Sequence, residues 1–137
     1  MFKWRDEFSV NVEKIDEQHK ELFNLGSKLY TIVSAKDNVD RYDEIMEILS
    51  ELRRYAIYHF GYEEELMKQY GYENYQKQKI EHARFIEKIT SISQEEVDEK
   101  QKKVSMELIT FIANWIENHI LKSDMEYKEY FNSNGLY

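Results

Sequence analysis

The chain has 137 residues, enough for one domain with a real core and too few for two ordinary domains. It contains no proline, four glycines and no cysteine, which favours long helices and excludes disulfides, thiolate metal sites and a cysteine nucleophile. Its formal net charge of -8, with no basic block, argues against a nucleic-acid partner, because phosphate binding needs clustered Lys and Arg.

The N-terminal sequence MFKWRDEFSV is charged within its first residues and has no apolar core of the kind found in export signals. No segment of the chain approaches the roughly 18 consecutive apolar residues of a membrane-spanning helix. We therefore expect a cytoplasmic protein without a membrane partner.

Amphipathic helices follow the N-terminal arm. Helix A is predicted at roughly 16–36, because apolar residues recur at three- and four-residue steps from His19 to Val33. The polar stretch KDNVD then breaks the pattern, and helix B carries an apolar stripe from Ile45 to a left-handed stop at Gly71. The candidate caps of helix B are Asp37, Asn38 and Asp40.

The second half of the chain predicts two more helices. Asn74 can open helix C, whose inner face extends from Tyr75 to Ile89. Helix D begins within the polar stretch SQEEVDEKQKK and continues through His119 as far as Asp124. Four amphipathic helices joined by short links favour an all-α fold, an up-down-up-down antiparallel four-helix bundle with an N-terminal arm.

Polar residues interrupt the apolar inner stripes of all four helices. An unpaired polar group in a core is costly, so these side chains need partners and are candidates to be one another's. They are His19, His59, Glu63, Gln78, His82, His119 and Asp124.

The four histidines come one from each helix, in halves that lie at similar heights when the helices are antiparallel. His59 and Glu63 are four residues apart, as are Gln78 and His82, so each pair shares one helix face. Imidazoles with carboxylates and no thiolate favour iron or manganese, allow zinc and disfavour calcium. No glutamate stands three residues before any histidine, which makes the ferritin-like type of di-metal bundle unlikely.

Three motifs carry a resemblance to a known family. WRDEFSVNVEKIDEQH ends in His19, HFGYEE holds His59 and Glu63, and WIENHILKSD holds His119 and Asp124. With the helix C pair, they make the chain similar to the single-domain bacterial hemerythrins over nearly its whole length. The resemblance implies one hemerythrin-like domain over residues 1–137.

The resemblance also implies a non-haem di-iron centre with an oxo or hydroxo bridge and O2 as ligand. His19 and His59 would bind the iron that keeps a position for dioxygen, while His82 and His119 would bind the other iron with a third imidazole. Glu63 and Asp124 would bridge both irons. Apolar O2-pocket positions are matched by Phe60, Trp115, Ile116 and Ile120; packing in the core explains these four residues equally well.

Gln78 occupies the position of the family's third imidazole on the second iron. Three hypotheses follow: Gln78, or a water that it orients, completes the coordination; the second iron keeps an exchangeable position and O2 binding becomes less reversible; or the site holds a single metal. Glu81 and Tyr75 lie nearby as substitute donors, although a solvent-facing acid and a packed aromatic are the simpler interpretations.

We therefore expect an O2-binding protein, a carrier, store or sensor, rather than an enzyme. The alternatives are a di-iron oxidase or peroxidase-like enzyme, an iron-binding or storage protein with a partly occupied site, and a metal-free helical interaction module. The tyrosines, among them Tyr58, Tyr127 and Tyr130, are interpreted as amphipathic boundary residues.

Overall fold

The computed structural model describes residues 2–35, 41–91 and 101–137, and in these ranges the regular structure is entirely helical. A short 3-10 helix, Asp6–Phe8, precedes α1 (Glu13–Val33), α2 (Tyr42–Gln69) and α3 (Tyr75–Ser91). The last long helix is continuous in three parts: α4 (Gln101–Asn118), a π-helical turn (His119–Asp124) and α5 (Met125–Ser133). Helix α1 packs against α2 and α4, and α2 packs against α3, which confirms the predicted all-α four-helix bundle.

The N-terminal arm is part of the core. Phe8 packs edge-to-face on Phe23 of α1, and Trp4 lies against both rings. Asp16, in the first turn of α1, accepts hydrogen bonds from the Val10 backbone N–H and from the Ser9 hydroxyl. This anchor explains why α1 begins three residues before the predicted position.

The predicted bounds of helix A, 16–36, differ from the observed Glu13–Val33 at both ends. The candidate caps Asp37, Asn38 and Asp40 lie outside the described residues. The stop at Gly71 is confirmed, since Gly71 has φ +66 and follows Tyr70, the C-cap residue of α2. Helix α3 begins at Tyr75, one residue after the predicted opening at Asn74.

The end of helix D is the largest difference from the prediction, because helical structure continues beyond Asp124 to Ser133. Tyr127 and Phe131 are completely buried in a second apolar cluster that also contains Met67 of α2. The boundary interpretation of Tyr127 is therefore wrong. A tyrosine can be completely buried when its hydroxyl forms a hydrogen bond inside the protein. The sequence alone does not reveal the partner of that hydrogen bond.

None of the helices in the described ranges combines the length and the apolar character needed to cross a bilayer.

Candidate metal centre

Helix periodicity brings the predicted polar residues to the middle of the bundle. His59 and Glu63 are one turn apart on α2, and Gln78 and His82 are one turn apart on α3. His19 reaches the same place from α1. All seven predicted residues are buried, none of them more than 7% exposed.

The π-helical turn positions the last two residues. In an α-helix, positions five apart point about 140° away from each other, so His119 and Asp124 would not face the same space. The wider π turn, with its i→i+5 pattern, returns both side chains to the interior. Single π turns of this kind are frequent at functional sites, and the spacing of His119 and Asp124 is the sequence feature that requires one.

Two carboxylates lie between two groups of imidazoles. Oε1 of Glu63 is 2.8 Å from His59 Nε2 and 3.6 Å from His82 Nε2. The two oxygens of Asp124 divide in the same way, with Oδ2 3.2 Å from His19 Nε2 and Oδ1 3.2 Å from His119 Nε2. Potential ligand atoms within 4.8 Å of one another form two groups that share Glu63: His19, His59 and Glu63, and Glu63, His82 and His119.

Several of these inner atoms are buried without a hydrogen-bond partner among the described residues. They are His19 Nε2, Glu63 Oε1, Gln78 Oε1 and Asp124 Oδ2. The short contacts of Glu63 Oε1 with His59 and of Asp124 Oδ2 with His19 are ion-pair distances and do not have hydrogen-bond geometry. Buried lone pairs left unsatisfied at one place are costly unless a cation binds them. This donor set of nitrogens and hard oxygens suits iron.

The outer ring nitrogens fix the orientation of three imidazoles. His59 Nδ1 is 2.7 Å from Gln18 Oε1, His82 Nδ1 is 2.9 Å from Glu64 Oε2, and His119 Nδ1 is 3.0 Å from Glu81 Oε2. Because these oxygens accept, each Nδ1–H donates and leaves the Nε2 lone pair directed inward. The Nε2 atoms of His82 and His119 are then 3.1 Å apart, a contact that a shared cation relieves.

Gln78 lies inside the centre rather than beside it. Its Nε2 donates to Asp124 Oδ1 at 3.2 Å, while its Oε1 is buried and without a partner among the described residues. The amide orientation follows from this contact, because the opposite orientation would place two acceptors together.

Comparisons with known proteins agree with this geometry. Residues 10–131 match the family model described as the hemerythrin HHE cation binding domain. The bacteriohemerythrin of Clostridium acetobutylicum is 41% identical over 127 residues, which cover 93% of this chain and 98% of that protein. The chain belongs to the hemerythrin family.

Two further relatives support the same membership. The myohemerythrin of Theromyzon tessulatum is 32% identical over 93% of this chain and 91% of its own. A crystal structure of wild-type hemerythrin superposes with a TM-score of 0.80 at 29% identity, over 93% of this chain and 95% of that one. Hemerythrins are non-haem di-iron proteins that bind dioxygen, and this chain is one of them. The metal-free interaction module is thereby set aside.

The electrostatics of this hemerythrin reflect the burial of both carboxylates. Burial and the nearby Asp124 raise the pKa of Glu63 to about 7. Burial acts against the charged form of His119, but Asp124 and Glu81 raise its pKa to about 10. Burial also lowers the pKa of His59 to about 4.

Aromatic side chains hold the imidazoles of α3 and the π turn. The Phe60 ring stacks on His82 with centroids 4.0 Å apart, and the Trp115 ring stacks on His119 at 4.4 Å. Ile116 and Ile120 are buried in the same cluster. The structure thus places Phe60 and Trp115 against imidazoles of the centre, and Ile116 and Ile120 in the core cluster that contains Phe60; an O2 pocket formed by these four residues stays a prediction.

Several contacts of the hemerythrin centre were not found from the sequence. Gln18 and Glu64 orient imidazoles, and the buried Tyr127 hydroxyl donates to Glu63 Oε2 at 2.6 Å. The expectation that Glu81 is only a solvent-facing acid is wrong, because it accepts from His119 and from the Ser123 hydroxyl at 2.7 Å. Tyr75 is a packed aromatic, as expected.

Proposed function

We propose that this hemerythrin binds two irons through six family-type ligands and Gln78. Glu63 and Asp124 would bridge the irons, since each carboxylate lies between the two imidazole groups. The terminal ligands would be His19, His59, Gln78, His82 and His119. The observation that carries the proposal is the set of inward nitrogen and oxygen atoms that lack a partner at the centre of the bundle.

We assign Gln78 as a ligand through Oε1. Its Nε2 is engaged with Asp124, which leaves the carbonyl oxygen as the atom free to bind a cation. An amide oxygen is a neutral and harder donor than imidazole, and it suits iron less strongly. A water held by the amide, an exchangeable position and a single-metal site are the alternative outcomes.

The protein residues would bind, orient and protect the centre. When bound, the two irons supply the electrons and the open position that dioxygen needs. Tyr127 fixes the outer oxygen of Glu63, and burial together with the nearby carboxylates raises the pKa of its hydroxyl well above the usual value, so it remains a donor. The buried Phe60 and Ile120 would exclude water, and a dry wall would favour release of O2 over reaction with protons.

Reversible binding distinguishes an O2 carrier or store from an enzyme. We expect the reduced protein to take up one O2 per two irons and to release it under vacuum, with the visible spectrum returning over repeated cycles. Consumption of O2 with continuous turnover of an added reductant would instead favour the oxidase or peroxidase-like alternative.

We also propose that the protein works in the cytoplasm without a nucleic-acid partner. A net charge of -8 with no basic block argues against phosphate binding and so supports the absence of a nucleic-acid partner. Fractionation of the source cells, followed by detection of the protein, tests the compartment. Recovery with secreted proteins would contradict the proposal.

The carboxylates of Glu64 and Glu81 should strengthen metal binding in the half of the centre that contains Gln78, His82 and His119. Both imidazoles of that half donate to carboxylates, whereas His59 donates to the neutral Gln18. We expect Glu81→Gln to weaken metal affinity by about 10- to 100-fold, because a negatively charged acceptor makes the imidazole a better donor. Competition with a chelator measures the affinity. Glu65→Gln is the control, since that side chain is 77% exposed, and equal effects of the two variants would refute the expectation.

A further inference from the structure

An apolar groove lies on the outer surface between α2 and α3. It has a volume of about 670 Å³ and is lined by Ile57, Gly61, Ala83 and Ile86, among other residues. Ile57 is 45% exposed, and Ile80, beside the groove on α3, is 51% exposed. A Cβ built on Gly61 would meet nothing within 4 Å, so the α2 wall is open at its middle. Exposed apolar surface of this kind marks an interaction site.

The sequence of α3 is arranged symmetrically about Ala83 on this face. Ile80 and Ile86 stand three residues before and after Ala83, and Lys79 and Glu87 stand four residues before and after it. The flanking apolar residues are thus the same and the flanking charges are opposite. An isologous contact about a two-fold axis needs this arrangement, because each residue before the axis meets a residue after it on the other copy.

We propose that this face binds a second copy of the chain, with the two α3 helices crossing obliquely at Ala83. The small side chain of Ala83 allows close approach of the helices at the axis. Lys79 of each copy then reaches Glu87 of the other copy, so the dimer contains two such ion pairs. Ile80 and Ile86 fill the groove beside Gly61. Neither Lys79 nor Glu87 has an ion-pair partner within the described ranges, so both charges are available; Lys79 is 6.0 Å from the Tyr75 ring.

This contact would also close the groove beside the metal centre. Phe60 and His82 form part of the groove wall, and Glu64 lies there with its side chain 20% exposed. A second copy would remove this edge of the centre from water. The dimer proposal stands independently of iron, since its contacts are made by outward-facing side chains.

A single introduced thiol tests the axis directly, because the chain contains no cysteine. We expect Ala83→Cys to form a disulfide-linked dimer under mild oxidation, since residues on a two-fold axis meet their own copies. Ser27→Cys, exposed on α1, is the control and should stay monomeric on a non-reducing gel. Equal cross-linking of both variants, or none of Ala83→Cys, would overturn the proposal.

Charge reversal tests the pairing. We expect the unmodified protein to be a dimer by light scattering, and Lys79→Glu and Glu87→Lys each to raise its dissociation constant by about tenfold or more, because like charges then face each other. The double variant should restore the dimer. Circular dichroism and iron content check that each variant is folded. The two-fold contact would be contradicted by a monomeric parent protein, by single variants that stay dimeric, or by a double variant that stays monomeric. A monomeric protein that binds a different protein at this face would also contradict it.

Discussion

Asp124→Asn should abolish binding of both irons while the helical bundle stays folded. The two oxygens of Asp124 face opposite halves of the centre, each 3.2 Å from an imidazole Nε2, so one substitution weakens both positions. Asparagine keeps the shape but loses the negative charge and replaces one oxygen by an N–H donor. Metal analysis after reconstitution with ferrous iron under argon measures the loss, and circular dichroism measures the fold.

The matched control is Asp43→Asn, an exposed acid at the start of α2. It should retain the full iron content, because it lies outside the bundle interior. An Asp124→Asn protein that still binds two irons per chain would show that Asp124 does not bridge the centre.

Gln78→His should strengthen the centre. Imidazole is a better iron donor than an amide oxygen, and the side chains are of similar length. We expect iron loss to a chelator to slow by about tenfold or more, since roughly 1.4 kcal/mol of added binding free energy is tenfold, and autoxidation to slow as well. Gln76→His, two residues away on the exposed face of α3, is the control and should change neither rate.

The opposite substitution separates ligation from packing. Gln78→Leu keeps the volume of the side chain and removes both polar atoms. We expect it to lower the iron content of the half that holds His82 and His119 and to leave the fold intact. If Gln78→His and Gln78→Leu both leave iron retention unchanged, position 78 is not a ligand position.

The bundle was predictable because its signals are local and repeated. Apolar residues at three- and four-residue steps defined the helices, and antiparallel packing brought one histidine from each helix to one level. The continuation through Asp124 into α5 was not predictable from the same signal. It depends on the partner that Tyr127 finds in Glu63, which is 64 residues away in the chain.

The orienting carboxylates were missed for a geometric reason. Glu64 follows Glu63 directly, and Glu81 precedes His82 directly, so each lies about 100° around its helix from a ligand. Glu64 therefore reaches His82 of α3, and Glu81 reaches His119 of the π turn. An acid next to a candidate ligand is thus a usable sequence signal for the imidazole of a neighbouring helix.

The iron content of freshly isolated protein tests the central claim most directly. Elemental analysis, with the protein concentration from amino-acid analysis, should give two irons per chain if Gln78 completes the ligand set. One iron per chain would contradict this account, because the half built on Gln78, His82 and His119 would then not hold a metal.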